Sequence, residues 1–197
     1  MNSIFLETIK IFNGKIFHIE YHQNRYEKVL KSFGIKRFKN LKEYITPPKN
    51  GLYRCRVVYD LENNLSITYH LYKKREINSL KLVYDDKVEY SVKSTDREKL
   101  NQLYEQRENC DDVLIVKNSL ITDTTIANIA LLKNSIWYTP KSSLLQGTTK
   151  IRLLEEGKIV EKDILVKDIY NYERVALLNA MIDFDIMAQK NMRRIFC

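Results

Sequence analysis

Lys93 lies in the stretch VEYSVKSTDREKL, residues 88–100, where its amine could serve as a nucleophile or a base if held unprotonated. Val88, Tyr90 and Val92 alternate with Glu89, Ser91 and Lys93, a period that predicts a strand. Thr95 followed by Glu98 predicts a capping box opening a helix whose inward side is Leu100, Leu103 and Tyr104. Lys93 is therefore expected at a strand end just before a helix N-terminus, where the partial positive charge favours the neutral amine. The ordinary alternative is a surface lysine, one of 33 Lys and Arg residues in the chain.

Four further places carry polar residues in unusual settings. Within residues 20–33, His22, Arg25, Tyr26, Val29 and Phe33 recur at spacings of three and four and share one helix face. Val29, Leu30 and Phe33 mark that face as the core side, so Arg25 points inward, where a guanidinium requires an anion. The anion is an internal Asp or Glu or a bound ligand, unless the side chain runs along the helix edge to water. In LLQGTTKIRLLEEG, Gly147-Thr148-Thr149 falls at a predicted helix start. Exposed N–H groups and two hydroxyls there make an anion cup, or else threonine simply caps the helix. Asp123 sits in a short polar insertion of SLITDTTIANIALL, with Asn128 beyond, and turn chemistry is its ordinary reading. Asn179-Ala180 interrupts the apolar run ERVALLNAMIDF, where an asparagine finds partners or makes a turn.

The elements that must position these residues follow from turn chemistry and periodicity. Asn13-Gly14 inside IFLETIKIFNGKIFHI predicts a hairpin. A helix over 20–33 ends at Gly34, a short helix stops at Pro47-Pro48, and strands are expected over 51–60, 65–73 and 79–84. Paired strands are expected around Asn118-Ser119 and Asn134-Ser135, and a helix over 149–156 before Gly157. The fold class is α+β in two parts, an N-terminal α+β domain over 1–86 and a larger β-rich domain with helices over 87–197.

A hydrophobic share of 44% supports such a core, and no apolar run reaches membrane-span length. The N-terminus MNSIFLETIK is too polar for a secretory leader, so a cytoplasmic protein without a membrane partner is expected. Cys55, Cys110 and Cys197 are widely separated and the histidines equally scattered, so neither a disulfide framework nor a metal site is expected. The net charge of +8 is laid down in alternating signs, as in YKKRE and RLLEEGK, which suits anionic small molecules better than nucleic acid.

Taken in order, these motifs resemble the class IV, fold type IV, pyridoxal-phosphate enzymes, which include branched-chain and D-amino acid aminotransferases and aminodeoxychorismate lyase. FLETIKIFNGKIFHIEYHQNRYEKVL resembles the family's F-E-T strand, hairpin and H-x-x-R helix. KSTDREKLNQL is similar to the segment around the cofactor-binding lysine, and the run from Asp111 through Glu155 is similar to the family's most characteristic stretch. The resemblance implies pyridoxal 5'-phosphate as cofactor, held covalently by Lys93. Its phosphate would be bound by Arg25, Thr148, Thr149 and the backbone near Asn179-Ala180, and its pyridine nitrogen by Asp123. The family usually has Glu at that last place, so Asp123 is one methylene shorter.

Of the family's reactions, the opening FLETI and the compact chain resemble the lyase. That enzyme turns 4-amino-4-deoxychorismate into 4-aminobenzoate and pyruvate for folate biosynthesis; a branched-chain or D-amino acid aminotransferase is the alternative. The lyase substrate carries two carboxylates, and Arg54 and Arg56 in YRCRVVYD, two apart on one strand face, are candidate substrate-binding residues, the ordinary alternative being a solvated edge pair. The resemblance also implies a homodimer.

Overall fold

The computed structural model describes residues 4–196. Asn13 and Gly14 both take positive φ, 48° and 78°, as a two-residue hairpin turn demands. The turn joins β1 (Phe5–Phe12) to β2 (Lys15–Ile16). Helix α1 (Ile19–Ser32) and the short α2 (Leu41–Tyr44) follow, then β3 (Leu52–Tyr59) and β4 (Leu65–Leu71). The strands form an antiparallel sheet in the order β2-β1-β3-β4. Alternation sends Phe5, Ile9 and Ile11 of β1, with Cys55, Val57 and Tyr59 of β3, to the face that packs on Tyr26, Val29 and Leu30 of α1. Burying each such side chain is worth roughly 1.5–3 kcal/mol. Gly34, at φ 82°, ends α1 in the left-handed conformation while the N–H of Ile35 reaches back to the Leu30 carbonyl.

Beyond residue 74 come β5 (Leu80–Tyr84), α3 (Glu98–Glu105), β6 (Asp112–Lys117), β7 (Leu120–Thr124), β8 (Asn128–Lys133) and β9 (Ile136–Pro140). Then follow α4 (Thr148–Glu155), β10 (Val160–Lys162), a 3-10 turn (Val166–Asn171), β11 (Arg174–Asn179), β12 (Asp183–Ile186) and α5 (Met192–Ile195). Two sheets result, β5-β6-β7 and β10-β9-β8-β11-β12. Strands β8 and β11 are apolar on both faces because both faces are covered. Ile129, Leu131, Val175 and Leu177 enter one core, whereas Ala130, Ala176 and Leu178 pack with Leu153 of α4. Among the described residues no helix is long and apolar enough to cross a membrane.

By packing, residues 4–74 with Val92–Asp96 make one compact unit, and Arg75–Ser91 with 97–196 make the other. The division thus falls earlier than the joint expected after residue 86. The strand expected over 88–93 is absent. Its period-2 pattern is real but serves two cores: Val88 and Tyr90 join one cluster with Leu100 and Leu103, whereas Val92 packs with the core of the first unit. The capping box does not form either. Thr95 turns its hydroxyl and its N–H to the Ile4 carbonyl, and α3 begins at Glu98 with Arg97 at its N-cap. The expected helix dipole is therefore not adjacent to Lys93 along the chain. Cys110 is disulfide-bonded, a cross-link the cysteine spacing did not signal, while Cys55 is a buried free thiol.

Candidate active site

In the first unit Lys93 is placed through its backbone. Its carbonyl accepts the N–H of Leu6 at 2.9 Å, and Ser94 bridges Phe5, so the lysine runs beside the start of β1. The next residue of β1, Glu7, is fully buried on the inward phase of the strand. It is met there by Arg25 and His22, which the three-residue spacing on α1 brings to the same side. Arg25 donates Nε to Oε1 at 2.8 Å and Nη2 to Oε2 at 2.5 Å, and His22 Nδ1 lies 2.6 Å from Oε2. Of the alternatives for Arg25, the internal ion pair is thus realised.

Burial alone would push the Glu7 carboxyl up. The Arg25 charge and the hydrogen bonds from His22 and Arg25 overcome it and hold the group at about 2. Burial lowers the His22 pKa, the Glu7 contact opposes this, and the positive charges of Arg25 and Lys93 press it further down. Against an ionised Glu7, the ring proton belongs on Nδ1, leaving the lone pair on Nε2. The Tyr59 hydroxyl, held up by burial and by the Glu7 charge, is buried with no hydrogen-bond partner among the described residues.

In the second unit one side chain organises the other candidates. Asn128, at the first position of β8, donates Nδ2 to Asp123 Oδ1 at 2.7 Å and to the Leu145 carbonyl at 2.9 Å. Asp123 Oδ2 accepts the Leu145 N–H at 3.0 Å. A Cβ on Gly147 would lie 2.0 Å from Asn128 Oδ1, so only glycine allows this approach. Across the sheet Asn128 pairs with Leu178, next to Asn179. Asp123, the start of α4 and the Asn179-Ala180 turn are thereby gathered around one asparagine.

Burial raises the Asp123 carboxyl to about 6, despite the Leu145 and Asn128 bonds and the Lys150 charge. Helix α4 has Gly147 at its N-cap with no side-chain cap, so the simple threonine cap is not what occurs. Thr148 and Thr149 are buried at its first two positions. Asn179 makes a turn, its Oδ1 accepting the N–H of Met181 and of Ile182.

The structure therefore brings Lys93 and Arg25 to one unit, with Glu7 and His22, and brings Asp123, Thr148, Thr149, Asn179 and Ala180 together in the other. It does not group Arg54 and Arg56 with Arg25. They alternate with the buried Cys55 and Val57 and so stand on the opposite face of the sheet, Arg54 exposed and directly opposite Lys10. Sequence reasoning missed Glu7 and Lys150. The signal for Glu7 was present, an acid at the inward phase of β1 between Phe5 and Ile9. Chemically, the first group offers an amine and a guanidinium; the second offers a helix N-terminus for an anion and a buried carboxylate for a cationic nitrogen.

The pattern of the amino-transferase class IV family matches residues 5–184. An uncharacterized protein of Haemophilus influenzae is 40% identical over 181 residues, covering 89% of this chain and 96% of that protein. The crystal structure of a candidate 4-amino-4-deoxychorismate lyase from Haemophilus somnus is 34% identical with a TM-score of 0.84, covering 91% of this chain and 96% of that one. A hypothetical aminotransferase from Mycobacterium tuberculosis, in its PLP-bound form, shares the fold with a TM-score of 0.78 at 13% identity, over 98% of this chain and 83% of that one.

Proposed function

Because the chain belongs to the amino-transferase class IV family, we propose that it is a pyridoxal-phosphate enzyme that splits 4-amino-4-deoxychorismate into 4-aminobenzoate and pyruvate. The observation that carries this reading is the 34% identity to the candidate lyase over nearly the whole of both chains. The residues present fit the cofactor. An amine matches its aldehyde, the Gly147 cradle and uncapped α4 terminus match its phosphate, and a buried carboxylate matches its ring nitrogen. When bound, pyridoxal phosphate supplies an electron sink.

In this reading the Lys93 amine would hold the cofactor and would also serve as the base that takes the substrate proton. Asp123, ionised above about pH 6, holds the ring nitrogen in its protonated form. Arg25, Thr148, Thr149 and the turn at Asn179-Ala180 bind the phosphate. Arg54 and Arg56 bind the substrate carboxylates. Arg54 faces Lys10 across β1 and β3, a like-charge pair that an anion would relieve. Because these arginines stand on the opposite sheet face from Arg25, the proposal includes a homodimer in which one copy's Arg54 and Arg56 serve the other's substrate.

Transfer of the amino group to a keto acid is the second reading, favoured by the family's own description. One assay separates the two. The protein loaded with pyridoxal phosphate is given aminodeoxychorismate without keto acid, and 4-aminobenzoate is followed through many turnovers. We expect sustained production, lost in Lys93→Ala. Turnover that stops after one equivalent and resumes with added keto acid would replace the lyase with the aminotransferase.

A further inference from the structure

Lys150 is 0% exposed, a rare state for a lysine, and its surroundings account for all three of its protons. Nζ donates to the Pro140 carbonyl at 2.7 Å and to Ser143 Oγ at 2.7 Å, and pairs with Glu161 Oε1 at 2.9 Å. Two of these bonds hold the segment 140–147 that joins β9 to α4. The rest of the segment is fastened as well. The N–H of Lys141 reaches the Lys162 carbonyl, Ser142 Oγ the Ile121 carbonyl, and Leu145 is held at both N–H and C=O by Asp123 and Asn128. Gly147 closes the run against Asn128.

The segment thus has two ends with different duties. At Leu145 it grips the Asp123 carboxylate; at Gly147 it delivers the first turn of α4. From α4, Lys150 reaches back to both Pro140 and Ser143, so the ammonium ties helix and segment into one piece. Without it, the buried Pro140 carbonyl loses a charged donor and Ser143 loses its hydrogen bond to α4. The Lys150 charge also opposes the effect of burial on Asp123.

We propose that Lys150 is a positioning residue for phosphate recognition: it touches no ligand, but it sets the path of 140–147 and hence the aim of the Gly147-Thr148-Thr149 N–H groups. The inference rests on the cofactor reading above. It predicts that loss of Lys150 harms recognition of the phosphate rather than of the ring.

The test compares pyridoxal 5'-phosphate with pyridoxal, by equilibrium titration of the full chain, in wild type, Lys150→Met, Ser143→Ala and Glu161→Gln. Lys150→Met should weaken the phosphorylated ligand about tenfold or more while pyridoxal changes by less than about threefold. Ser143→Ala, which keeps two of the three contacts, should show a smaller loss with the same preference for the phosphorylated ligand, and it carries the test if Lys150→Met does not fold. Glu161→Gln, which leaves both segment bonds in place, should bind both ligands like wild type. Equal losses for both ligands, or none in either while wild type binds, would overturn the proposal and leave Lys150 a structural cation. A wild type that takes up neither ligand, and that borohydride does not label at Lys93, would overturn the functional reading and this inference with it.

Discussion

Glu7→Gln removes one charge from a fully buried site, and its effect can be worked out from the pKa. The carboxyl is held at about 2 against an ordinary value of 4.5. At 1.36 kcal/mol per pH unit, that difference makes the ionised group worth about 3 kcal/mol to the folded state. The sign follows from the direction. A depressed acid contributes fully above its unfolded value and loses its contribution as pH falls toward the folded one, so the window runs from pH 4.5 down to about 2. Glutamine keeps the shape but leaves the Arg25 guanidinium without its anion, a situation that typically costs about 3–5 kcal/mol. The single tryptophan, Trp137, reports the other unit. Native-state hydrogen exchange at the α1 amides of Val29 and Leu30 in the cofactor-free protein is therefore the assay. We expect a loss of about 3 kcal/mol or more at pH 7, shrinking as pH approaches 3, and substantial recovery in Glu7→Gln/Arg25→Met, where no charge is stranded. A loss that is the same at pH 3 and pH 7 would refute the electrostatic account and assign the effect to packing.

Two further outcomes follow from the same geometry. Asp123 is raised by burial from 3.8 to about 6, so its contribution has the opposite sign: stability is greatest below its unfolded value and falls by about 3 kcal/mol as pH rises through 6. Asp123→Asn should flatten that fall in urea titrations of the cofactor-free protein followed at Trp137, and an unchanged fall would show that another group titrates. Arg25→Ala should weaken pyridoxal phosphate binding by a few kcal/mol in an equilibrium titration, whereas the exposed Arg37→Ala should leave it unchanged; equal affinities would confine Arg25 to its structural pair with Glu7.

Local chemistry made much of the fold legible. Asn13-Gly14, Asn118-Ser119 and Asn134-Ser135 each take positive φ at both turn residues, and each was visible as a polar pair between apolar runs. Gly34 and Gly157 stop their helices for the same local reason. The segment 88–93 misled because alternation records burial, not the presence of a neighbouring strand: Val88 and Val92 are inward toward different cores. At the candidate site, Arg25 was legible as an inward cation because helical spacing is local. Its partner Glu7, and the Asn128–Gly147 approach, depend on which strand or loop lies alongside, which no local window contains. Lys150 was hidden for a related reason. A lysine in a helix reads as solvated until the strand-end carbonyl and the hydroxyl that meet it are known.

Val92–Asp96 rejoins the first unit after the chain has already entered the second. Leu6 and Ile4 give and take their backbone bonds with Lys93 and Thr95, so the lysine is sewn to the beginning of the chain rather than to its neighbours in sequence. On the ribosome, the start of β1 therefore emerges long before the stretch that covers it. An uncovered strand margin is a template for pairing with another chain. The nascent polypeptide would carry that hazard until residue 95 is available, and the pairing that removes it is the same one that seats Lys93. A chain that fails to seat Lys93 also keeps its adhesive margin, so quality control of the fold and of that lysine's placement would act through one event.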